Sequence, residues 1–355
     1  MGTLMRVLIV KMSSMGDIIH TLPALTDAGR AIPSIRFDWV VEENFAEIPH
    51  WHPLVDKVIP VAIRRWRKKW MSSQTRQEWR QFRKTLCTTS YDVVIDAQGL
   101  IKSAWIARIA KGPCCGPNLR SAREFLAALF YQRRYPIVWE QHAIMRVRSL
   151  LSQALCYPLP QSVAEYGVDR RRFLDGKPLP PYLVFLHGTT WTTKHWPEEY
   201  WIQLAKLANA NGFIVKLPWG NAAEQARAER IAANCQSAEI LPRLNLRGVA
   251  EVIAGAKAIV AVDTGLGHLA AALDVPTVSL YGPTNPILTG ALGKSQVHLT
   301  AKFPCAPCLS RACTYYQNPS DHLKPPSSLY EYDLKPPCFA ALTPRDVWAS
   351  LAMLF

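Results

Sequence analysis

An acidic residue stands in the first turn of the chain, where small residues follow an apolar stretch. Residues 5–11 predict a buried strand, and the next residues, Ser13-Ser14-Met15-Gly16-Asp17, predict a turn into a helix. Small residues at such a turn allow backbone N–H groups to approach an anion. The glycine fingerprint of dinucleotide-binding loops does not occur here. Asp17 therefore either caps the helix or removes a proton from an attacking group, and the spacing alone leaves both hypotheses open.

A second group of candidate residues follows the apolar stretch that ends in Phe185-Leu186-His187-Gly188. Thr189, Thr190 and Lys194 supply two hydroxyls and an ammonium group just after this stretch. Groups of this kind bind phosphate oxygens and neutralise a departing negative charge. The alternative is that Lys194 is an ordinary surface lysine.

A third group lies where a predicted strand runs directly into a helix, at residues 261–268. The backbone N–H groups around Thr264 and Gly265 suit a diphosphate, and His268 lies one turn inside the helix. The alternative is that Asp263 and Thr264 cap the helix while the glycines serve close packing. The chain has no Asp-x-Asp pair of the kind that holds a divalent cation on a sugar nucleotide. We therefore expect no metal ion and no cofactor, with Lys194 and the helix start neutralising the leaving group.

A fourth group is a basic segment in which tryptophans alternate with cations. Its cations are followed by those of a predicted helix, and Glu78 is the single acid among them. Such a pattern is typical of a nucleic-acid surface or of an anionic membrane surface, and its ordinary alternative is a solvated helix face. We favour an anionic partner. The cations are Arg64, Arg65, Arg67, Lys68 and Lys69, then Arg76, Arg80, Arg83 and Lys84.

The composition indicates a globular protein with more than one domain. The 355 residues are 49% hydrophobic and 19% charged, and the formal net charge is +14. This charge again implies an anionic partner without choosing among nucleic acid, membrane and phosphorylated substrate. No uninterrupted run of 18 apolar residues occurs, and the first apolar stretch suits a buried strand better than a signal peptide. We expect a cytoplasmic protein.

Nine cysteines occur, and four of them are spaced like metal ligands. Four thiolates can hold a structural zinc ion, but only one Cys-x-x-Cys pair is present. We favour small buried thiols over a metal site. The four are Cys305, Cys308, Cys313 and Cys338.

Apolar stretches alternate with helical ones in both halves of the chain, which predicts two parallel, doubly wound α/β sheets. We expect one Rossmann-like domain over residues 1–165, a linker over 166–181 and a second Rossmann-like domain over 182–340. A closing helix over 341–355 is expected to pack back toward the first domain. Two such domains facing a cleft would bring ligands to the carboxyl ends of their strands. The predicted strands are Arg6–Lys11, Phe37–Val41, Val58–Ala62, Val93–Asp96, Leu183–His187, Ile214–Leu217, Ala258–Asp263 and Thr277–Tyr281.

These stretches together resemble the lipopolysaccharide heptosyltransferases of glycosyltransferase family 9, and most closely their type I members. The resemblance runs from Met5 to about Thr284. The motifs that carry it are VLIVKMSSMGDIIHTLPALTDA, FDWVVEENFAEIP, VIPVAIRRWRKKW, YDVVIDAQGLIKSA, KHWPEEYW, KLPWG and VDTGLGHLAAALDVPTVSLYGPT.

The resemblance implies an inverting, metal-independent glycosyltransferase of the GT-B type, with two Rossmann-like domains. It would move L-glycero-D-manno-heptose from ADP-heptose to a Kdo hydroxyl of Kdo2-lipid A during lipopolysaccharide inner-core synthesis. The protein would be peripheral on the inner face of the inner membrane, with its anionic surface as a partner and without nucleic acid. Alternatives are a type II or III enzyme acting on an already heptosylated core, a basic nucleic-acid-binding protein and, more weakly, a dehydrogenase.

The same resemblance assigns roles to individual residues. Asp17 corresponds to the general base, and Ser13 and Ser14 would make room for the acceptor hydroxyl beside it. ADP would depart toward Lys194, which counts as both catalytic and donor-binding. The other donor-binding residues implied are Thr189, Thr190, Glu224 (an adenosine ribose contact), Asp263, Thr264, Gly265 and His268. The other acceptor-binding residues implied are Arg64, Arg65, Arg67, Lys68 and Arg123.

Overall fold

The chain folds into two α/β units, Met1–Val168 and Asp169–Phe355. The computed structural model describes residues 4–176, 180–315 and 336–355. The division falls inside the predicted linker 166–181, of which residues 177–179 lie outside the described part. Each unit has its own sheet and its own core, which agrees with the prediction of two Rossmann-like α/β domains.

The first unit contains a six-stranded parallel sheet in the order β3-β2-β1-β4-β5-β6. Its central strand β1 is buried over its last four residues, because a parallel strand covered by helices on both faces must be apolar throughout. The strands are β1 (Met5–Val10), β2 (Ile35–Glu42), β3 (Val55–Val61), β4 (Val93–Asp96), β5 (Cys114–Pro117) and β6 (Arg133–Tyr135). The helices are α1 (Met15–Ile19), α2 (Leu22–Ala31), α3 (Glu47–His50), α4 (Ile63–Trp66), α5 (Ser73–Thr88), α6 (Ile101–Ile109) and α7 (Ala143–Leu155).

The second unit repeats this order. Its sheet runs β12-β11-β10-β7-β8-β9, which read from the other edge is the same 3-2-1-4-5-6 arrangement. The strands are β7 (Tyr182–Leu186), β8 (Ile214–Leu217), β9 (Ala238–Ile240), β10 (Ala258–Val262), β11 (Thr277–Tyr281) and β12 (Gln296–Thr300). The helices are α8 (Glu198–Ala210), α9 (Ala222–Ala233), α10 (Leu246–Gly255), α11 (Gly265–Ala272), α12 (Pro286–Thr289) and α13 (Pro344–Ala352).

This strand order places a topological switch point in each sheet. The order reverses between β1 and β4 in the first unit and between β7 and β10 in the second. Ligands of open α/β sheets bind in the crevice beyond the carboxyl ends of the strands at such a point. The residues that follow these four strands are therefore the candidates for the ligand-binding sites.

The closing helix α13 packs within the second unit. Its buried Val347 and Leu351 join the core that contains Leu204 of α8 and Val260 of β10. Thr343 caps the helix, since its hydroxyl accepts a hydrogen bond from the backbone N–H of Asp346. We expected this helix to pack back toward the first domain. Its buried apolar residues lie in the second core, and packing toward the first domain stays a prediction.

No helix in the described part of the chain is both long and apolar enough to cross a membrane.

Candidate functional site

Asp17 lies at the switch point of the first sheet, in the first turn of α1 and just after the turn of residues 11–14 that leads from β1. Its Oδ2 accepts hydrogen bonds from the backbone N–H and from the hydroxyl of Ser14, both at 2.9 Å. The carboxylate therefore does cap the start of α1. Both hydrogen bonds are accepted by Oδ2, so Oδ1 of Asp17 takes no part in capping the helix.

The turn is held in place from β4, on the other side of the switch point. The side-chain oxygen of Gln98 accepts a hydrogen bond from the backbone N–H of Met12 at 2.7 Å. Gln98 is itself fixed by the fully buried Asp96, whose Oδ1 accepts from the backbone N–H of Gln98 at 2.8 Å. The hydroxyl of Tyr131 donates to the other oxygen of Asp96 at 2.6 Å. Ser13 lies beside Gln98 as well, with its hydroxyl 3.4 Å from the amide nitrogen.

Two cations, Lys11 and Arg146, interact with the charge of Asp17, and a third, Arg123, interacts with both of them. Lys11 is buried and its ammonium donates to the carbonyl of Ala97 at 2.9 Å. Burial lowers the pKa of Lys11, while the negative charges of Asp17 and Asp96 oppose that shift and the positive charge of Arg123 adds to it. Burial likewise lowers the pKa of Arg146, again against the pull of Asp17 and with a contribution from Arg123.

Lys11 and the hydrogen bonds from Ser14 keep Asp17 ionised. Burial alone would raise the pKa of its carboxyl, but the charge of Lys11 and the hydrogen bonds from Ser14 outweigh burial and bring the pKa below its usual value. Asp17 is consequently ionised at neutral pH and surrounded by positive charge. Such a site suits an acceptor that carries a carboxylate or phosphate close to its reactive hydroxyl.

The predicted acceptor-side arginines divide into two kinds. Arg65 is bound on both sides, to Glu43 at 3.0 Å and to Glu78 at 2.8 Å, and the same Glu78 accepts from the indole of Trp66. Arg65 therefore ties α4 to α5. Arg64 donates its backbone N–H to Glu42 at 3.1 Å, and its guanidinium lies 5.7 Å from the centre of the Phe45 ring. Arg67, Lys68 and Lys69 lie just beyond α4 and are exposed, as are Arg64, Arg65 and Arg123, but among the described residues Arg67 and Lys68 have no acidic partner like those of Arg65.

Lys194 and Asp263 form the centre of the second site, at the switch point of the second sheet. Lys194 follows β7 and Asp263 follows β10, and the ammonium lies 2.7 Å from Oδ2 of Asp263. The hydroxyl of Thr284 donates to the same oxygen at 2.6 Å, and Nε2 of His268 lies 4.0 Å from Oδ1. The hydroxyl of Thr189 donates to the backbone carbonyl of Asp263 at 3.1 Å. Four candidate residues, together with Thr284, which the sequence did not single out, thus converge on one place from three strand ends.

The loop that carries Lys194 is supported by the segment after β12. The hydroxyls of Thr192 and Thr193 donate to the carbonyls of Arg311 and Ser310, at 3.0 and 2.7 Å. The Trp191 ring lies 4.4 Å from the Lys194 ammonium and 5.1 Å from the Arg311 guanidinium. Sequence reasoning missed this support, because nothing in the spacing connects residues 191–194 with a segment more than a hundred positions later.

Glu224, for which the resemblance implies a ribose contact, follows the carboxyl end of β8. It sits in the first turn of α9, its Oε2 accepts from the backbone N–H of Gly220 at 2.8 Å, and Asn221 caps the same helix. The carboxylate lies over Gly188, since a Cβ added there would come within 2.6 Å of it. Glu224 is therefore next to the strand end that leads to Thr189. Gly188 has no side chain because the space belongs to Glu224.

The predicted anion-binding element lies at the start of α11. Thr264 is its N-cap residue in extended conformation, and Gly265 begins the helix directly after Asp263. The first N–H groups of a helix have no partner within the helix and carry partial positive charge. Thr190 is exposed on the neighbouring loop. All eight predicted donor-binding residues therefore lie at the carboxyl ends of the second sheet.

Among the described residues, no three His, Cys, Asp or Glu side chains come together in a way that could hold a metal ion. Cys305, Cys308, Cys313 and Cys338 are free thiols. Cys338 is buried, and burial raises the pKa of its thiol to about 12, with the three other cysteines adding to that shift. The zinc alternative gains no support from this arrangement.

Arg146, like Lys11, is a residue of the first site that sequence reasoning missed. It lies in the first turn of α7, with its guanidinium 4.7 Å from the centre of the Trp139 ring. An isolated arginine in an amphipathic helix carries no signal in the sequence. Only the fold brings it to Asp17.

Known proteins share this fold and these motifs. The model of glycosyltransferase family 9 (heptosyltransferase) matches residues 79–318. Lipopolysaccharide heptosyltransferase 1 of Pseudomonas aeruginosa is 60% identical over 355 residues, covering 99% of this chain and 98% of the relative.

Two solved structures of the Escherichia coli heptosyltransferase WaaC are also similar. The complex with ADP has a TM-score of 0.81 at 53% identity, covering 84% of this chain and 93% of that chain. The complex with ADP-2-deoxy-2-fluoro heptose has a TM-score of 0.78 at 52% identity, with the same coverage. The chain therefore belongs to glycosyltransferase family 9, the heptosyltransferases of lipopolysaccharide core synthesis.

Proposed function

We propose that this heptosyltransferase moves L-glycero-D-manno-heptose from ADP-heptose to a Kdo hydroxyl of Kdo2-lipid A, with inversion at the anomeric carbon. The observation that carries the proposal is the division of charge between the two switch points. The first unit holds an ionised carboxylate, Asp17, among cations. The second unit holds an ammonium, Lys194, at the start of a helix. A base and a site for a departing anion are the two elements that a single displacement needs.

The second unit suits the donor. ADP and an ADP-heptose analogue are the molecules named with the E. coli relative. Lys194 and the first N–H groups of α11 would neutralise the diphosphate as the bond to the sugar breaks. Glu224 would accept a hydrogen bond from a ribose hydroxyl. Asp263 would act mainly by holding Lys194 and His268, because its Oδ2 already receives Lys194 and Thr284.

The first unit suits a sugar acid as acceptor. Kdo carries a carboxylate, and Lys11, Arg123 and Arg146 supply the positive charge to orient it beside Asp17. The low pKa of Asp17 makes it a weak base toward an unreacted hydroxyl. The hydroxyl becomes acidic as its new bond to the anomeric carbon forms, so the proton passes to Asp17 late in the step.

The basic segment suits the surroundings of such an acceptor. Arg67, Lys68 and Lys69 are exposed, and lipid A and the membrane in which it lies are anionic. We propose that the enzyme works at the inner face of the inner membrane without spanning it.

The test is a transfer assay with ADP-heptose against two acceptors, Kdo2-lipid A and its already heptosylated product. We expect heptose on the first acceptor alone, with the anomeric configuration inverted as read by NMR. Transfer only to the heptosylated acceptor would instead make the chain a type II or III enzyme. The matched control is Asp17→Asn, which should bind ADP-heptose in calorimetry and transfer almost nothing.

A further inference from the structure

We propose that an apolar surface of the first unit inserts into the interfacial layer of an anionic lipid bilayer. This surface consists of Phe125, Leu126 and Leu129 on a 3₁₀ helix, with Ile101 and Trp105 of α6 beside them. The proposal rests on the proposed function in one respect, namely that the acceptor is a lipid. It adds which part of the chain meets the membrane.

The side chains of this surface are unusually exposed for their size. Phe125 is 63% exposed, Leu129 60% and Trp105 48%. The 3₁₀ helix Phe125–Phe130 buries Ala127 and Ala128 and packs Phe130 partly against the core, but it turns Phe125, Leu126 and Leu129 outward. The usual arrangement is the reverse, because burial of a large apolar side chain is the more favourable. An outward-facing apolar group of this kind indicates an interaction surface.

The two segments form one surface because Glu124 joins them. Its carboxylate accepts a hydrogen bond from the backbone N–H of Ile101 at 2.7 Å, and its own backbone N–H donates to the carbonyl of Gly99 at 2.9 Å. The 3₁₀ helix is therefore fixed against the start of α6. Trp105, one turn after Ile101, stacks on Trp79 of α5 with ring centres 5.0 Å apart.

The charge around this surface fits an anionic bilayer. Between residues 98 and 139 the chain has seven cations and a single acid, Glu124, which already serves Ile101. Further cations lie on α5, the helix that carries Trp79. They are Arg76, Arg80 and Arg83, and all three are exposed. Apolar and aromatic side chains rimmed by cations are typical of segments that lie in the headgroup layer.

The same charge disfavours a second copy of the chain as the occupant. A symmetric dimer would place this surface against itself and bring the two sets of cations together. Like charges facing one another across an interface oppose association. In an anionic bilayer the apolar side chains would be buried in the interfacial layer, and the cations would pair with the anionic headgroups.

The position of the surface connects it with the site at Asp17. It begins directly after Arg123, whose charge acts on both Lys11 and Arg146. Gly99 makes this approach possible, because it has a φ of +69° and a Cβ there would lie 3.2 Å from the backbone nitrogen of Arg123. Insertion of the surface would thus bring the site within reach of a sugar that projects from the bilayer.

The experiment is flotation of the full-length protein with vesicles of phosphatidylethanolamine and phosphatidylglycerol. The variant Phe125→Ser/Leu126→Ser/Leu129→Ser should bind these vesicles about tenfold or more weakly than the parent protein. The control Val163→Ser/Ile287→Ser removes two side chains that are 70% and 76% exposed elsewhere, and it should bind like the parent. Phe125→Trp should retain binding. Unchanged binding of the triple variant, at any salt concentration, would overturn the proposal.

A second readout separates this proposal from the proposed function. The triple variant should transfer heptose at the parental rate to a water-soluble, fully deacylated acceptor and several-fold more slowly to the acceptor in vesicles. A dimer of the parent that the triple variant loses, with vesicle binding unaffected, would assign the surface to a second copy and refute insertion. If the parent transfers heptose to neither acceptor, the proposed function fails, while the flotation result still decides the surface.

Discussion

Asp17 has two duties, capping α1 and acting as base, and a conservative substitution separates them. Asp17→Asn keeps an oxygen that can accept from Ser14 but removes the charge. We predict a fall in kcat of about 10²- to 10⁴-fold, with the Kd for ADP-heptose within about twofold of the parent. Initial-rate kinetics and calorimetry measure the two quantities.

The control is Ser14→Ala, which removes one capping bond and keeps the carboxylate. It should lower stability by about 1 kcal/mol and leave most of the activity. If Asp17→Asn retained near-parental kcat, Asp17 would be a cap alone.

The Lys194–Asp263 pair allows a second prediction. Since Asp263 acts through Lys194 in our proposal, the two side chains should be coupled. Lys194→Ala should reduce kcat about 10²-fold or more, and Lys194→Ala/Asp263→Asn should lose little beyond that single change. Thr284→Val, which removes only the neutral donor to Asp263, should have a much smaller effect. Losses that simply multiply would mean that Asp263 acts on the substrate by itself.

The positive field at Lys194 also predicts how the enzyme responds to chelators. If Lys194 and the start of α11 neutralise the leaving diphosphate, EDTA should leave kcat unchanged, and added Mg²⁺ should not raise it. Steady-state assays on EDTA-treated enzyme measure this directly. A kcat that falls with EDTA and returns with one particular divalent ion would show that a metal performs part of this work.

At this scale the sequence predicted strand-end residues well and isolated ones poorly. Asp17, Lys194 and Asp263 each follow an apolar stretch, and a stretch of that kind marks a strand end. Arg146 has no such neighbour. For Arg65 the resemblance implies acceptor binding, but the sequence does not show that its guanidinium pairs with Glu43 and Glu78, which are 22 and 13 positions away.

At the scale of elements, α4 and α5 separate structural cations from those available to a ligand. Arg65→Ala should lower the free energy of unfolding, because it leaves Glu43 and Glu78 without their cation and loosens α4 from α5. These groups are exposed to solvent, so the expected loss is small. Arg67→Ala/Lys68→Ala should leave stability unchanged and raise the KM for the lipid acceptor several-fold, more at low salt than at high salt.

Denaturant unfolding and acceptor titrations at two salt concentrations distinguish the two variants. An acceptor KM that rises with Arg65→Ala at unchanged stability would return Arg65 to the acceptor-binding set.

Four of the strands were not predicted from the alternation of apolar and helical stretches. All eight predicted strands are present. The four others, β5, β6, β9 and β12, are edge or near-edge strands in their sheets, and β6 and β9 have three residues each. Strand β5 reads Cys-Cys-Gly-Pro and contains no β-branched residue. Such strands form because a neighbour offers backbone hydrogen bonds, which is information the local sequence lacks.

At the scale of the whole molecule, both units repeat one strand order, and each places its chemistry at its own switch point. The sequence indicated this arrangement through alternating stretches and through residues placed at strand ends. It did not indicate the supports from distant segments, such as Ser310 and Arg311 beneath the loop of Lys194. Those supports depend on the tertiary path of the chain.

Each unit also buries a histidine, so mild acid should weaken both. Burial lowers the pKa of His52 in the first unit to about 4 and, with the charge of Arg227, that of His187 in the second unit to about 3. Below pH 6.5 the unfolded chain binds a proton on each ring while the folded chain does not, so stability falls as the pH drops toward these values. Carboxylates with lowered pKa values, such as Asp17, lose their contribution to the stability of the fold only at lower pH.

The free energy of unfolding should fall by about 1.4 kcal/mol per pH unit for each of these two histidines. Between pH 6.5 and pH 5 each α/β unit should therefore lose about 2 kcal/mol of stability. Scanning calorimetry across this range measures this loss.

The variant His52→Asn separates the two units. His52 binds Thr26 and the backbone N–H of Leu54, and its replacement should flatten the pH dependence of one unfolding transition while the other transition keeps its slope. A midpoint that stays constant from pH 6.5 to 5 in the parent protein would mean that the buried rings are already protonated, or already accessible to water, in the folded state. Since His187 precedes Gly188 and Thr189 at the donor site, the transition that keeps its slope should also be the one that ADP raises.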